Sequence, residues 1–504
     1  MRKLFLKFNF RKILIFVLWI SGTIAIFAGV SFAITRVNQN YVYFFIIFLY
    51  LINLIFVIIM INSKSYSDSK FSWILFILIL PIFGHIFYLI FGLKSKSNRF
   101  QYLESIDKYE VNSYLDKATL NVKKTSDYEF HKLENFFKTK MLSCDFEFLD
   151  TGNKFFENLF KELKKAKKSI SIITFIIKPG VFADKFIEIL KEKAQQGIKV
   201  QWLIDDYGSI LYKRKKINDL RKVGVEIYFI NKIYWPVIWK KTFIRNHSKF
   251  IIIDSKMVFN GGSNISDEYA GFSKRFGNLI DLNYKISGPY VNNYILNFAK
   301  LWKFSSNTDI DIKEFLFKDD SEKKYKNLAL FCSENPFSPE SKSEIYWTKL
   351  MQMAKYNIKI ATPYFSVTKT LFNQIVLTLK SGIDVEIYIP GLPDKKIPYE
   401  VSLNELFKLK EYGLKIYIYS DHFVHTKMGL IDHKYAWSGS NNWDIRSMHM
   451  QFETMEIFSG LDTKFIENLF EQYKSKSRLL DSQEYLKKTN PIKTFVLNWI
   501  KPLI

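Results

Sequence analysis

At 504 residues and 59.8 kDa the chain exceeds one ordinary hydrophobic core, so several domains or repeats are expected. Its 73 Lys and Arg against 49 Asp and Glu leave a net charge of +24, which calls for an anionic partner such as nucleic acid, anionic lipid or a phosphorylated substrate. Two cysteines, Cys144 and Cys332, exclude a disulfide framework and a zinc cluster, and an aromatic share of 17% excludes a mainly disordered chain.

Three apolar stretches without charge open the chain, at residues 13–34, 41–62 and 71–93. Each reaches the ~20 residues that a bilayer core requires. They predict a membrane anchor over residues 1–95, not a cleaved signal peptide, whose apolar run is only ~7–15 residues. Arg2, Lys3, Lys7, Arg11 and Lys12 place the N-terminus in the cytoplasm. Pro81, Gly84 and His85 interrupt the third stretch, and Lys94, Lys96 and Arg99 follow it. Two spans plus a re-entrant third, and three full spans, both satisfy this pattern. The first arrangement is expected, giving a multi-pass protein of the cell membrane with its remaining part in the cytoplasm.

After a linker over residues 96–140, similar phrases occur twice in the same order. Gly197 and the β-branched run behind it recur at Gly382, Gly224 recurs at Gly413, and His247 recurs at His425. Helices are predicted over 154–166 and 345–356, followed by apolar strands over 170–177 and 358–363. A further helix in each copy ends at Gly197 or Gly382, the residue type that closes a helix. Alternating helix and buried strand predict an α/β fold: membrane helices, then two α/β sandwich repeats over 141–305 and 306–480, related by a pseudo-twofold. Residues 481–504 read as an amphipathic tail.

The chemistry lies in two matched motifs. His247, Lys249 and Asp254 recur as His425, Lys427 and Asp432, and a Gly-x-x-Asn run then ends at Asn264 or Asn442. One such motif is weak, but two at equivalent repeat positions are specific. Each His and Lys stand two residues apart at the start of a strand, on one face, with the Asp at the strand's far end. One imidazole is suited to attack phosphorus and the other to protonate the leaving oxygen. The lysines supply positive charge and the asparagines neutral donors to the phosphate oxygens. The two lysines would repel a cation, so no metal and no cofactor is expected.

These residues resemble the phospholipase D superfamily and, within it, the bacterial cardiolipin synthases. Asp205-Asp-Tyr-Gly-Ser, Arg245-Asn-His-Ser-Lys and the Gly-Gly-Ser-Asn ending at Asn264 resemble the first catalytic half. Thr362-Pro-Tyr-Phe, Phe423-Val-His-Thr-Lys, the Gly-Ser-Asn-Asn ending at Asn442 and Asp444-Ile-Arg-Ser resemble the second. Ser248 and Gln451 depart from the family pattern, which has Arg and Asn there. The resemblance implies two phospholipase D-like repeats with catalytic His247, Lys249, Asp254, His425, Lys427 and Asp432. It also implies a ping-pong reaction through a phosphatidyl-histidine, with His247 as nucleophile and His425 as acid and base, although the symmetry of the motifs allows the reverse. Glu453, 28 residues beyond His425, is the expected orienter of that imidazole, and Asp281, 34 residues beyond His247, of the other.

The expected substrate is an anionic phospholipid, phosphatidylglycerol, two molecules of which give cardiolipin and glycerol. Transfer to another alcohol, or hydrolysis, uses the same site. A membrane-tethered nuclease would share the histidine pair and basic surface, and a non-catalytic lipid-binding protein would share the anchor. Aromatic-rich loops and the apolar N-terminus favour lipid in a bilayer, with no nucleic acid partner. One loop stands out: from Gly224 to His247 is 23 residues, against 12 from Gly413 to His425. The surplus includes Trp235, Trp239, Lys240 and Lys241, residue types that suit a headgroup boundary, and predicts a loop in contact with the membrane.

Overall fold

The computed structural model describes residues 32, 39–62, 67–89, 98–106, 109, 128–212, 214–233, 242–272, 278–318, 323–338, 340–481 and 490–501. The chain divides into two compact units, residues 1–96 with 232–244, and residues 97–231 with 245–504.

In the first unit, α1 (Gln39–Asn62) is uninterrupted and nearly all apolar. It alone among the described helices is long and apolar enough to cross a membrane, with mean hydropathy 3.1. The stretch at 71–93 is not one continuous helix. α2 (Ser67–Ile79) stops at Leu80 and α3 (Pro81–Phe87) begins directly after it. Pro81 has no amide hydrogen to continue the helical ladder, so the break falls there. Met60, Ile77 and Tyr88 pack together across these helices. Most of the first stretch, residues 13–34, lies outside the described residues.

The second unit is built on one long sheet. The first repeat contributes β1 (Leu142–Leu149), β2 (Ser169–Thr174), β3 (Lys199–Asp205), β4 (Glu226–Ile230), β5 (Arg245–Asn246), β6 (Phe250–Ile253), β7 (Met257–Gly261), β8 (Leu279–Ile280) and β9 (Asn283–Ser287). The second contributes β10 (Asn327–Glu334), β11 (Asn357–Ala361), β12 (Phe365–Ser366), β13 (Asp384–Pro390), β14 (Lys415–Tyr419), β15 (Phe423–Val424), β16 (Met428–Ile431), β17 (Tyr435–Gly439), β18 (Trp443–Asp444), β19 (Gln451–Gly460) and β20 (Ser477–Leu479). β1 and β10 pair antiparallel at the centre. Outward from β1 the order is β9, β7, β6, β2, β3, β4, and outward from β10 it is β19, β17, β16, β11, β13, β14. The two halves therefore repeat one topology, as the duplicated phrases predict.

Local sequence explains the layers. β2 is buried at every residue, and β3, its parallel partner, and β4, parallel to β3, are largely apolar, the pattern of a sheet covered on both faces. The helix Gly152–Lys165 turns Phe155, Phe156, Leu159, Phe160 and Leu163 inward, and Thr151 caps it by accepting from the Lys154 amide at 3.3 Å. Burying side chains of this size is worth about 2 kcal/mol each. Gly197 and Gly382 both take φ +82°, the left-handed turn that ends a helix and that a Cβ would strain. Residues 96–140, expected as a linker, are more than a connector: Asn98–Glu104 and Tyr128–Phe137 are helical, and Phe100, Phe130 and Leu133 are buried.

Candidate active site

Each motif histidine is placed by the other repeat. β5 pairs in parallel with the start of β19, and the Phe452 carbonyl accepts from the amides of His247 at 2.9 Å and Ser248 at 3.0 Å. In the same way β15 pairs in parallel with β8, and the Ile280 carbonyl accepts from the His425 amide at 2.7 Å. The residue after each accepting carbonyl is a carboxylate. Glu453 Oε1 lies 2.8 Å from His247 Nδ1, and Asp281 Oδ2 lies 2.7 Å from His425 Nδ1. Spacing along the chain couples Glu453 with His425 and Asp281 with His247; the structure corrects both. Short parallel strands exchanged between the repeats bring each imidazole to the far repeat's carboxylate.

Asp254 and Asp432 are also corrected. Neither meets a histidine. At ~3.3 Å per residue, the strands β6 and β16 carry them roughly 15 Å beyond the lysines. Asp254 accepts from the amides of Lys167, Lys168 and Ser169 at 2.7–3.1 Å, and Asp432 from those of Lys355, Tyr356 and Asn357 at 2.7–2.9 Å. Both occupy left-handed backbone, φ +51° and +49°, which Asp tolerates better than most residues. Their role is to fasten the entry of β2 and of β11.

The remaining motif residues converge on the histidines. Lys249 donates to the His247 carbonyl, Lys427 to that of His425, and Lys427 Nζ lies 3.0 Å from His425 Nδ1. Asn264 is held at both ends, accepting from the Ile176 amide at 3.1 Å and donating to Tyr269 Oη at 2.7 Å. Asn442 donates to Ser447 Oγ at 3.3 Å, and its Oδ1 is buried without a hydrogen-bond partner. Both amides retain an N–H beyond the bonds named here. Gly262 is required by close approach, since a Cβ there would fall 2.3 Å from the Asp281 carboxylate.

Burial dominates the electrostatics. It pushes His247 well below its ordinary value, aided by the charges of Lys249, Lys427, Lys395 and Arg446. Burial and Lys427 bring His425 down to about 4 against the pull of Asp281. Burial lowers Lys249 to about 7 against Glu453, and Lys427 to about 8 against Asp281. The two carboxylates differ. Burial lifts Glu453 to about 8 against the opposing charges of Lys249 and Lys427. Burial also raises Asp281, but His425, Lys427 and the Leu282 amide outweigh it and hold the carboxyl below its ordinary range. Among the described residues no group of three His, Cys, Asp or Glu is arranged to hold a metal ion.

Several residues of the site were not singled out from sequence. Phe175 stands edge-on to His247 with centroids 4.9 Å apart, and Tyr269 edge-on to His425 at 5.4 Å. Asp205 and Arg245, both fully buried, are bonded at 3.2 Å, and Asp205 also accepts from the Asn246 amide at 2.8 Å. That pair anchors β5, and its only signal in the sequence is the family-like phrases around Asp205 and Arg245. Trp235, Trp239, Lys240 and Lys241 lie outside the described residues.

Two α/β repeats on one sheet, each presenting a carboxylate-bound histidine beside a buried lysine, define an enzyme of the phospholipase D type. A family profile described as "Cardiolipin synthase, PLD-like domain" matches residues 159–302 and 348–474, and one described as phospholipase D-nuclease N-terminal matches 48–92. The cardiolipin synthase of Clostridium perfringens strain 13 is 32% identical over 426 residues, 81% of this chain and 88% of that protein. Cardiolipin synthase 1 of Staphylococcus aureus strain MRSA252 is 28% identical over 469 residues, 88% of this chain and 93% of that one. The crystal structure of phosphatidylserine synthase from Haemophilus influenzae Rd KW20 matches with TM-score 0.57 at 15% identity, covering 75% of this chain and 100% of that one, which shows the shared fold. The chain belongs to the cardiolipin synthase family of phospholipase D-like phosphatidyltransferases.

Proposed function

We propose that the enzyme transfers a phosphatidyl group from one phosphatidylglycerol to another, giving cardiolipin and glycerol, through a phosphatidyl-histidine. The observation that carries this reading is the pair of imidazoles, each bound through Nδ1 to a buried carboxylate and so presenting Nε2 as its reactive edge. In the first step His247 Nε2 attacks phosphorus, the P–O bond to the headgroup glycerol breaks, and the departing oxygen takes a proton from His425. In the second, the glycerol hydroxyl of another phosphatidylglycerol gives its proton to His425, attacks the same phosphorus and releases His247. Lys249, Lys427 and the free N–H groups of Asn264 and Asn442 stabilise charge on the non-bridging oxygens.

A specific observation favours the exchanged roles. With Glu453 lifted to about 8, the His247–Glu453 pair holds one more proton at neutral pH than His425–Asp281. With that proton shared between Glu453 Oε1 and His247 Nδ1, His247 Nε2 carries a hydrogen, as a general acid requires, whereas an ionised Asp281 accepts from His425 Nδ1 and leaves His425 Nε2 free to attack. Mass spectrometry of products from phosphatidylglycerol vesicles tests the reaction, with cardiolipin and glycerol expected in equal amounts. Rapid quenching that locates the phosphoryl group on His247 or on His425 decides the roles. His247→Ala and His425→Ala should each abolish turnover, and substantial activity in either variant would refute the paired mechanism.

The anchor is proposed to place the catalytic repeats on the cytoplasmic side, on the strength of the basic N-terminus and α1. A cysteine introduced near residue 100 should resist an impermeant reagent applied to intact cells; labelling from outside would reverse the orientation.

A further inference from the structure

The two halves of the site are not electrically equivalent. The offset of 178 residues that matches His247 to His425 and Asn264 to Asn442 also matches Glu268 to Arg446 and Tyr269 to Ser447. This match is physical as well as sequential, because Asn264 donates to Tyr269 Oη just as Asn442 donates to Ser447 Oγ. At one paired position, therefore, the first repeat carries an acid and the second a guanidinium. Glu268 is tied to Lys178 at 2.7 Å. Arg446 is half-buried, donates no side-chain hydrogen bond to a described residue and forms no ion pair with one.

Asp444 and Asp205 favour the Arg446 charge from a distance, but neither forms an ion pair with it. Asp444 accepts from the Ser447 amide at 2.6 Å, while Asp205 is taken by Arg245 and the Asn246 amide. The guanidinium charge acts on His247, as does that of Lys395, an exposed residue whose ammonium lies 5.7 Å from the centroid of the Tyr364 ring. A guanidinium has five donors in a planar fork, and withdrawing it from water without an acceptor is unfavourable. A phosphodiester supplies the two oxygens that such a fork binds.

Symmetry says which phosphodiester. The reacting phosphorus is served by matching histidines, lysines and asparagines from both repeats. A cation on one side only suits an anion on one side only. The acceptor lipid breaks the symmetry of the reaction, since it attacks through a hydroxyl but also carries a phosphodiester of its own. We propose that Arg446, assisted by Lys395, forms a second phosphate subsite that binds the acceptor lipid's phosphodiester while its free hydroxyl approaches the phosphatidyl-histidine. The proposal rests on the phosphatidyl-transfer reading above. It gives the enzyme a physical means of preferring an anionic lipid alcohol over water or free glycerol.

The experiment uses the full-length protein with phosphatidylglycerol vesicles and two readouts: cardiolipin formation, and exchange of isotope-labelled glycerol into phosphatidylglycerol. Exchange reverses the first half-reaction with a neutral alcohol, so it involves no acceptor phosphate. Arg446→Gln should depress cardiolipin formation at least about tenfold more than exchange, and Arg446→Lys should recover part of the difference. Lys395→Gln, a surface change that leaves the core intact, should shift the same ratio by about threefold. Equal losses in both reactions for Arg446→Gln and Arg446→Lys, or an unchanged ratio in Lys395→Gln and Arg446→Lys together, would overturn the subsite. Wild-type protein that forms no cardiolipin and exchanges no glycerol would overturn the transfer reading itself, and the subsite with it.

Discussion

His247 and Glu453 stand 206 residues apart in the chain, yet Nδ1 of one lies 2.8 Å from Oε1 of the other. His425 and Asp281 repeat the relationship from the opposite side at 2.7 Å. Neither repeat therefore contains a finished histidine of its own. Glu453→Gln and Asp281→Asn should each lower turnover by roughly 10²–10⁴-fold, as expected when an imidazole loses the carboxylate that sets its tautomer. Nitrogen NMR of histidine-labelled protein in micelles checks the crossing. Asp281→Asn should move the His425 resonances and leave those of His247 nearly in place; the opposite pattern would restore the pairing suggested by spacing.

Gly262 faces the Asp281 carboxylate so closely that even a methyl group cannot be added in place. Gly262→Ala should force Asp281 off His425 and reduce turnover about as far as Asp281→Asn does. In the double variant the two losses should not add, because both act through one contact. Full additivity, measured as kcat/KM for the four proteins, would show that Gly262 acts elsewhere.

Asp254 and Asp432 should matter for stability and not for chemistry. Each collects three backbone amides at the start of a neighbouring strand. Removing either acceptor by an Asp→Ala change should cost about 1–3 kcal/mol of stability, seen as a lower Tm. Turnover per folded molecule should stay within a few-fold of wild type. A complete loss of activity in well-folded protein would return them to the catalytic set.

Two pH effects follow from burial. His425 is held at about 4 in the folded protein, below the 6.5 of a free imidazole. The unfolded chain thus takes up a proton that the folded one resists. The associated stability is present above pH ~6.5 and is lost as pH falls towards 4, by about 3 kcal/mol at most. Thermal melting against pH should show this slope, and His425→Gln should flatten it. On the alkaline side, Lys249 and Lys427 lose their protons near 7 and 8. The value of kcat/KM, which reports the free enzyme, should fall as pH rises through that window. Lys249→Arg should remove the lower step, since a guanidinium stays charged.

The loop carrying Trp235, Trp239, Lys240 and Lys241 is proposed to contact the bilayer. Trp favours the headgroup boundary, and each lysine near an anionic surface contributes roughly 1 kcal/mol. Replacing Trp235 and Trp239 with Ser should lower turnover on vesicles far more than on a short-chain soluble analogue. Equal losses on both substrates would make the loop structural.

Much of this protein is legible without coordinates because it is written in local signals. The long apolar runs, the glycines that close helices at 197 and 382, and the paired His-Lys phrases each depend on residues near one another in the chain. Their repetition implies two α/β halves, and the chemistry of imidazole and ammonium implies phosphoryl transfer. Local signals do not record which strands meet across the two halves. Parallel pairing of β5 with β19 and of β15 with β8 gives each histidine its carboxylate, over separations of 206 and 144 residues that carry no periodicity. Asp254 and Asp432 likewise read as catalytic from their place in the motifs, and only the folded structure shows each collecting the backbone amides of a neighbouring strand. Arg446 has no distinction in sequence beyond its phrase. Its meaning comes from what surrounds it, since only packing determines that a half-buried guanidinium whose charge reaches a reactive histidine bonds to no carboxylate among the described residues.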